Sequence, residues 1–289
     1  MPARNRQLVV FIKGEPYYAA QKAEEVSGLT YSALRNQVSN GNIKSEVPPG
    51  KRQAYYRGKD IERVANELRM LMGSSSYITG KFRPMTNNDL LECTKISDMI
   101  FGGHIDIERQ KSWLAKNPEI GYVVESEDKV VGYSIIAPLH PEKIEKLLTE
   151  EESSITMDAD EIGTFTPGRP LHLYGIAIGV LPGLTLAEKR TYGAKLVSGL
   201  IDVIVDLGKR GVIIDTIVAR STKPDGIRLL RNLGFIQIPS NTEKKNFVLK
   251  VETSGSKPAM LYKQALQQSG YWKPEPFSFE TWVEQEKAI

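Results

Sequence analysis

The sequence predicts a mixed α/β (α+β) protein with a small N-terminal domain, a larger mixed-sheet domain and a C-terminal helix with an aromatic tail. Apolar residues at helical spacing dominate the first domain, and short apolar strands alternate with helices in the second. A short segment rich in glycine and serine separates the two. We therefore expect a domain at 1–72, a linker at 73–79, a domain at 80–254 and a helix with a tail at 255–289.

Composition places the chain among ordinary globular proteins. It has 289 residues, of which 40% are hydrophobic and 25% are charged, enough to bury a core without covalent staples. The one cysteine, Cys93, lies in an apolar helical pattern, where we expect an inert core thiol and no disulfide. Three scattered histidines offer no spacing typical of a metal site. No apolar run is long enough for a secretory signal or a membrane span, so we expect a cytoplasmic protein.

Positive charge is concentrated near the N-terminus. The net charge is +3, yet the first 75 residues alone carry 12 Lys and Arg against 7 Asp and Glu. A basic segment joined to a nearly neutral body indicates a polyanionic partner for that segment.

The first domain is predicted to consist of short helices around a turn. Gly28 ends one helix, and Thr30 is a suitable N-cap for the next, which Gly41 ends. The Pro-Pro-Gly run at 48–50 predicts a turn before a returning strand. A helix with a continuous apolar stripe follows at 59–72.

Residues 17–64 resemble the winged helix-turn-helix domains of the MerR and excisionase type. The matching residues run through 19–35, 40–43 and 55–64. The resemblance implies a first helix, a tight turn, a recognition helix, a two-stranded wing and a helix that opens with Asp60. MerR regulators usually continue into a long dimerisation helix, but here the pattern stops near residue 72, so any homodimer must form elsewhere.

This resemblance implies double-stranded DNA as a partner. Polar side chains of the recognition helix can bond base edges, and cations of the wing can meet phosphates. The residues expected to contact DNA are Thr30, Tyr31, Ser32, Arg35, Asn36, Gln37, Lys44, Lys51, Arg52, Tyr55, Tyr56 and Arg57. A basic helical surface that binds only protein remains the alternative.

Residues 80–252 resemble the GNAT superfamily of acyl-CoA-dependent N-acyltransferases. The resemblance rests on residues 83–90, on Val130–Tyr133, on the segment 178–197, and on residues 228–235, which end in Leu-Gly-Phe. It implies a GNAT-like mixed sheet and acetyl-CoA or another acyl-CoA as the ligand, with no metal. The cofactor-binding residues that it implies are Ile178, Val180, Arg190, Tyr192, Gly193, Ala194 and Lys195.

Two departures from that pattern weaken the prediction of catalysis. Lys195 stands where the motif has a small residue, and Leu230 stands where many members have a tyrosine general acid. The position of an upstream Asn or Ser corresponds to the neighbourhood of Lys223. His172 and Tyr174, on the central strand, are the remaining catalytic candidates.

Three functions stay open from the sequence. The first is a DNA-binding transcriptional regulator in which the GNAT-like domain senses a ligand or mediates dimerisation. The second is an active N-acetyltransferase that its first domain directs to DNA, and the third is an excisionase-like accessory factor of a mobile element. The aromatic tail either packs as an arm or covers a groove.

Overall fold

The computed structural model describes residues 8–73 and 80–271. The N-terminal part is built from seven elements: β1 (Val9–Ile12), β2 (Glu15–Ala19), α1 (Ala20–Ser27), α2 (Tyr31–Ser39), β3 (Ser45–Glu46), β4 (Tyr55–Arg57) and α3 (Gly58–Gly73). The four strands form a sheet in the order β1-β2-β4-β3. The helices enclose a separate small core that includes Ala23, Leu34, Ile61 and Val64.

Local sequence signals set the helix ends of this part. Gly28 closes α1 in the left-handed region at φ 69°, where a residue without a Cβ has no steric penalty. The Thr30 hydroxyl then accepts the Ala33 backbone N–H at 3.4 Å and caps α2. The end of α1 and the start of α2 therefore lie at the residues that the sequence predicted.

The second part, which we call the C-terminal part, is larger. Its elements are β5 (Lys81–Pro84), α4 (Leu90–Phe101), α5 (Ile107–Lys116), β6 (Gly121–Ser126), β7 (Lys129–Leu139), α6 (Pro141–Thr149), β8 (Pro170–Val180), α7 (Leu186–Lys209), β9 (Ile213–Ser221), α8 (Pro224–Asn232), β10 (Ile236–Ile238), β11 (Lys245–Lys250) and α9 (Lys257–Gln268). The strands form one sheet in the order β10-β11-β9-β8-β7-β6-β5. Only the pairing of β8 with β9 is parallel. The predicted fold class, a mixed α/β protein with a mixed sheet, is confirmed.

Helices cover both faces of this sheet. A Cβ at Gly179 would touch Ile100 of α4, whereas the side chain of the next residue, Val180, lies against Gly193 of α7. Neighbouring residues of a strand point to opposite faces, so α4 and α7 lie on opposite sides of β8. The main hydrophobic core lies on the α4 side and includes Leu207 near the end of α7, whereas the first half of α7 packs in a separate cluster with Val124 and Val131.

The C-terminal helix α9 packs against α7 and hydrogen-bonds the start of β9. The buried Tyr262 hydroxyl donates to the Val212 carbonyl at 2.7 Å and accepts the Ile214 N–H at 2.6 Å. A Cβ at Gly208 of α7 would approach the Tyr262 ring at 3.0 Å, so the two helices pack closely. The helix predicted near residues 258–270 is therefore an integral part of the second core.

Two features lie partly beyond the described residues. Of the predicted linker 73–79, residues 74–79 fall outside them, and so do the tail aromatics from Trp272 onward. No helix within residues 8–73 and 80–271 is long and apolar enough to cross a membrane. The same residues contain no group of three or more His, Cys, Asp or Glu placed to hold a metal ion.

Candidate functional site

The two parallel strands at the middle of the sheet separate along their length. β8 and β9 pair from Pro170 opposite Ile213 up to Gly175 opposite Ala219. β8 then continues to Val180, paired with β7 but without a further partner residue on β9. The second half of β8 therefore has one backbone edge without a strand partner, and we call the space beside this edge the opening between β8 and β9.

A bulge marks the place where the strands part. Ile135 of β7 lies opposite Ala177, and the next residue, Ile136, lies opposite Gly175, so that Ile176 is an extra residue of β8. A bulge bends a strand and increases its twist. Unpaired strand edges bind extended chains through backbone N–H and C=O groups, which suits a ligand with amides along an extended arm.

The opening ends at the start of the long helix α7. Thr185 caps that helix: its hydroxyl accepts the Glu188 N–H at 3.3 Å, and the Glu188 carboxylate accepts the Thr185 N–H at 2.8 Å. Hydrogen bonds from Thr185 lower the pKa of Glu188. The carboxylate thus satisfies the helix terminus from within the chain, at the end where a helix favours negative charge.

The predicted cofactor residues divide between the strand and the helix. Ile178 and Val180 lie on the separated half of β8. The other five, Arg190, Tyr192, Gly193, Ala194 and Lys195, lie inside α7 beyond its first turn. Their backbone N–H groups belong to the helix hydrogen-bond pattern, so their side chains are what a ligand could meet.

Arg190 and Gly193 share the face of α7 that points toward β8. Residues three apart lie on one face of a helix, and a Cβ added at Gly193 would be 3.8 Å from the Val180 Cγ2. Arg190 is exposed, one turn nearer the opening. The Tyr192 side chain does not share this face, because it is buried and its hydroxyl lies 3.1 Å from the Ser126 Oγ.

Tyr174, a candidate catalytic residue, lies next to the point of separation and is buried. Its hydroxyl lies against the Arg220 guanidinium; burial raises the pKa of Tyr174, and Arg220 acts to lower it. Arg220 Nη2 also bonds Glu150 at 2.9 Å, and Nη1 bonds the Leu147 carbonyl. These bonds fasten the end of α6 over this part of the sheet.

The side chains at the other positions considered for catalysis are poorly suited to transfer a proton. The His172 Nδ1 is 2.8 Å from the Thr216 Oγ1, a contact between adjacent strands. Leu230 packs beside Phe235 and Phe247 and has no proton to donate. Cys93 is buried, and burial raises the pKa of its thiol to about 12.

Comparison with known proteins gives similarity at the level of solved structures only. No model of a known protein family matches the chain, and no curated protein matches it. Similar solved structures include the loading GNATL domain of CurA from Lyngbya majuscula, with 14% identity over 61% of this chain and 99% of that chain, and a TM-score of 0.42. They also include yncA from Salmonella typhimurium with its cofactor acetyl-CoA, with 15% identity over 62% and 97% of the two chains and a TM-score of 0.39. A third is a ribosomal-protein-alanine N-acetyltransferase from Brucella melitensis, with 17% identity over 58% and 96% and a TM-score of 0.36.

In the N-terminal part, several of the predicted DNA-contacting side chains are at the surface. Tyr31 is 53% exposed. Ser32, Arg35, Lys44, Lys51 and Arg52 are exposed as well. They belong to α2 and to the segment between α2 and β4, so these two stretches carry exposed cations and one exposed aromatic ring.

Three other residues that were predicted to contact DNA have partners within the N-terminal part instead. Tyr55 is buried with Val10 and Tyr17, and Tyr56 is buried in the core beneath the helices. Arg57 is paired with Glu15 and Asp60, each at 3.5 Å. These three side chains support the fold of the N-terminal part.

The remaining polar side chains of α2 bind the C-terminal part. The Asn36 amide donates to the Gly234 carbonyl at 3.0 Å, and the Gln37 amide donates to the Arg231 carbonyl at 2.8 Å. The Thr30 hydroxyl donates to the Gly255 carbonyl at 3.1 Å. Further bonds run from Asn40 to the Phe235 carbonyl at 3.2 Å, from Asn42 to Asn232 at 3.4 Å, and from Asn232 to Glu67.

Sequence reasoning did not anticipate this contact. In the sequence, Asn40 and Asn42 belong only to the winged-helix resemblance, and Leu-Gly-Phe at 233–235 belongs only to the GNAT-like resemblance. The paired residues are about 190 positions apart in the chain, and no local pattern links them. Arg220 was missed for the same reason.

Proposed function

We propose that this protein binds an acyl-CoA in the opening between β8 and β9. The observation that carries the proposal is the loss of pairing after Gly175, which leaves residues 176–180 of β8 with a free backbone edge beside α7. The GNAT-like resemblance of the sequence supports the same assignment.

The chemistry of an acyl-CoA fits the groups at this opening. Its pantetheine arm is extended and carries two amides, which can bond the strand edge as a short added strand would. Its phosphates need cations, and Arg190 is exposed on the adjacent face of α7. Glu188 at the helix start disfavours a phosphate there, so the fit relies on the arginine side chain.

The proposal includes binding without efficient acyl transfer. Leu230 cannot protonate a departing thiolate. The nearest tyrosine on the strand, Tyr174, is buried against Arg220, and burial raises its pKa. A domain that keeps the ligand and lacks the proton donor is suited to sensing the ligand.

The test is a calorimetric titration with acetyl-CoA, together with a colorimetric assay for CoA thiol released in the presence of peptides that offer N-terminal and lysine amines as acyl acceptors. Cys93 adds no background to that assay because it is buried with a pKa of about 12. We expect saturable binding without thiol release. Arg190→Ala should raise the Kd about tenfold through loss of a charge-assisted hydrogen bond. Lys209→Ala, at the far end of α7, is the matched control. Absence of binding would overturn the proposal, and rapid thiol release would favour the enzyme.

A second function, DNA binding by the N-terminal part, is favoured by the exposed cations around α2. Arg35, Lys44 and Arg52 lie on the surface together with Tyr31. Combined with ligand binding, this activity makes the protein a DNA-binding transcriptional regulator. Affinity for duplex DNA should fall with salt, and Arg52→Ala should reduce the slope of log K against log salt by about 1. Lys111→Ala on α5 should leave the slope unchanged.

The location of the binding site on DNA separates the regulator from the third function. Binding beside promoters supports a regulator, whereas binding at the ends of an integrated element supports an excisionase-like accessory factor. Genome-wide mapping of the bound DNA distinguishes the two outcomes.

A further inference from the structure

One side of α2 is covered by the C-terminal part, and the other side is open. Asn36 and Asn40, one turn apart, both donate to carbonyls of the turn that follows α8. Gln37, beside them, is only 1% exposed. Tyr31 and Arg35, on the neighbouring row of the helix, remain exposed.

The covered side carries the amides best suited to reading DNA. Asn and Gln side chains recognise adenine by donating to one ring atom while accepting from its amino group. In this structure the same amide groups donate to backbone carbonyls of Arg231 and Gly234. A side-chain amide held by a backbone carbonyl in this way is not available to bond a base edge. In addition, a helix face that is covered by another part of the protein cannot enter a major groove.

We propose that the structure is a closed, DNA-restrained state, in which the turn at residues 231–236 and Gly255 withhold the reading face of α2. The inference rests on the proposed DNA binding, and it adds the regulation of that activity. Opening the contact exposes Asn36, Gln37 and Asn40 while the cations of the other side stay in place. The closed state then binds DNA weakly through phosphates, and the open state adds base contacts.

The make-up of the contact suits reversible opening. Its bonds are mostly side-chain amides to carbonyls, and both kinds of group bond water when separated, so the net preference for the closed state is small.

A wedge placed on the C-terminal part tests the proposal on the full chain. A Cβ at Gly255 would lie 2.0 Å from the Thr30 Oγ1 and 2.4 Å from the Ser32 Oγ, so a side chain at 255 must push the start of α2 away. Asn232→Ala weakens the same contact at its other end, because it removes the bonds to Asn42 and Glu67. Neither position 232 nor position 255 is a predicted DNA contact.

The readout is the affinity for a labelled mixed-sequence duplex about three helical turns long. We expect the wedge variant, Gly255→Leu, to bind at least about fivefold more tightly than the wild type. Asn232→Ala should shift the affinity in the same direction. Gly103→Leu is the matched control for the wedge, since a Cβ there has no neighbour within 4 Å. Hydrogen exchange of α2 verifies that the two variants open the contact.

Each outcome decides a separate claim. Equal DNA affinity of the wild type and Gly255→Leu, with α2 shown to be open in the variant, overturns the inference. No DNA binding by any form overturns it together with the DNA-binding function, while a normal acetyl-CoA titration would keep the ligand site. Failure of acetyl-CoA to bind, with the wedge still raising DNA affinity, supports the inference and removes only the ligand proposal.

Discussion

Gly193 and Gly199 lie on the same helix, α7, and meet different surroundings. A Cβ at Gly193 would make an ordinary contact with Val180 at 3.8 Å, so the fold does not require a glycine there. A Cβ at Gly199 would overlap the Phe82 ring. One glycine is thus available for a ligand, and the other is needed for packing.

We expect Gly193→Ala to raise the free energy of unfolding by about 0.5 to 1 kcal/mol, because alanine is the better helix former. The same change should weaken acetyl-CoA binding if the arm of the ligand runs along this face. Gly199→Ala should destabilise the protein by about 1 to 3 kcal/mol through overpacking. Urea unfolding and calorimetry measure both effects. Unchanged acetyl-CoA affinity in Gly193→Ala would show that the ligand does not approach α7 at this residue.

Asp89 is a structural carboxylate with a lowered pKa. Burial acts to raise the pKa, but hydrogen bonds from the Arg83 guanidinium, at 2.7 and 2.8 Å, and from Thr86 outweigh it. The folded-state pKa therefore lies below the unfolded value of about 3.9. Its stabilisation is complete above the unfolded value and is lost as pH falls through the folded value.

Asp89→Asn should lower the free energy of unfolding at pH 7 by about 2 kcal/mol, since Arg83 loses a charged partner. The difference between variant and wild type should shrink as pH falls through the folded-state pKa of Asp89, because the wild-type carboxyl then takes up a proton. Urea unfolding over a series of falling pH values is the measurement, with the exposed Glu151→Gln as control. A loss that stays the same at every pH would contradict the ionic account.

At the scale of elements, Arg220 joins β9 to the end of α6. Its guanidinium bonds the Leu147 carbonyl and Glu150, and its Nε bonds Asn246 at 3.0 Å. Helix α6 lies in the 30-residue connection 140–169 between β7 and β8. One side chain therefore ties this connection to two strands.

Arg220→Ala should destabilise the protein by about 3 kcal/mol, because it leaves buried acceptors without a partner. It should also speed amide hydrogen exchange in Pro141–Thr149 more than in α7. Arg210→Ala, which removes the more exposed pair with Glu119, should cost less than about 1 kcal/mol. Exchange that stays unchanged in α6 would show that the helix is held by its apolar side alone.

At the scale of the whole molecule, the two cores are joined through α2, α3 and the turn after α8. Asn232 connects them because its side chain bonds both Asn42 and Glu67. A double-mutant cycle of Glu67→Ala and Asn232→Ala should give a coupling energy of about 1 kcal/mol in urea unfolding. The same cycle with Glu25→Ala, on α1, should give none. Zero coupling for Glu67 would mean that the contact is not populated in solution.

The sequence predicted most elements of the fold because their signals are local. Thr30 and Gly28 mark helix ends through their own backbone chemistry, and apolar spacing located α3. The cofactor motif was harder to place. Arg190 and Gly193 of that motif lie inside α7, which begins at Leu186 because Thr185 and Glu188 form a capping box there.

By itself the sequence determined the mixed α/β class, the capped helices of the N-terminal part and the absence of a proton donor at Leu230. Only the tertiary structure decided that β8 leaves β9 after Gly175 and that Asn36 and Gln37 bind the C-terminal part. Caps, turns and periodic stripes act over a few residues, and the chain specifies them directly. Strand divergence and the contact of α2 depend on groups that meet only after the whole sheet has packed, so their geometry is a property of the folded molecule.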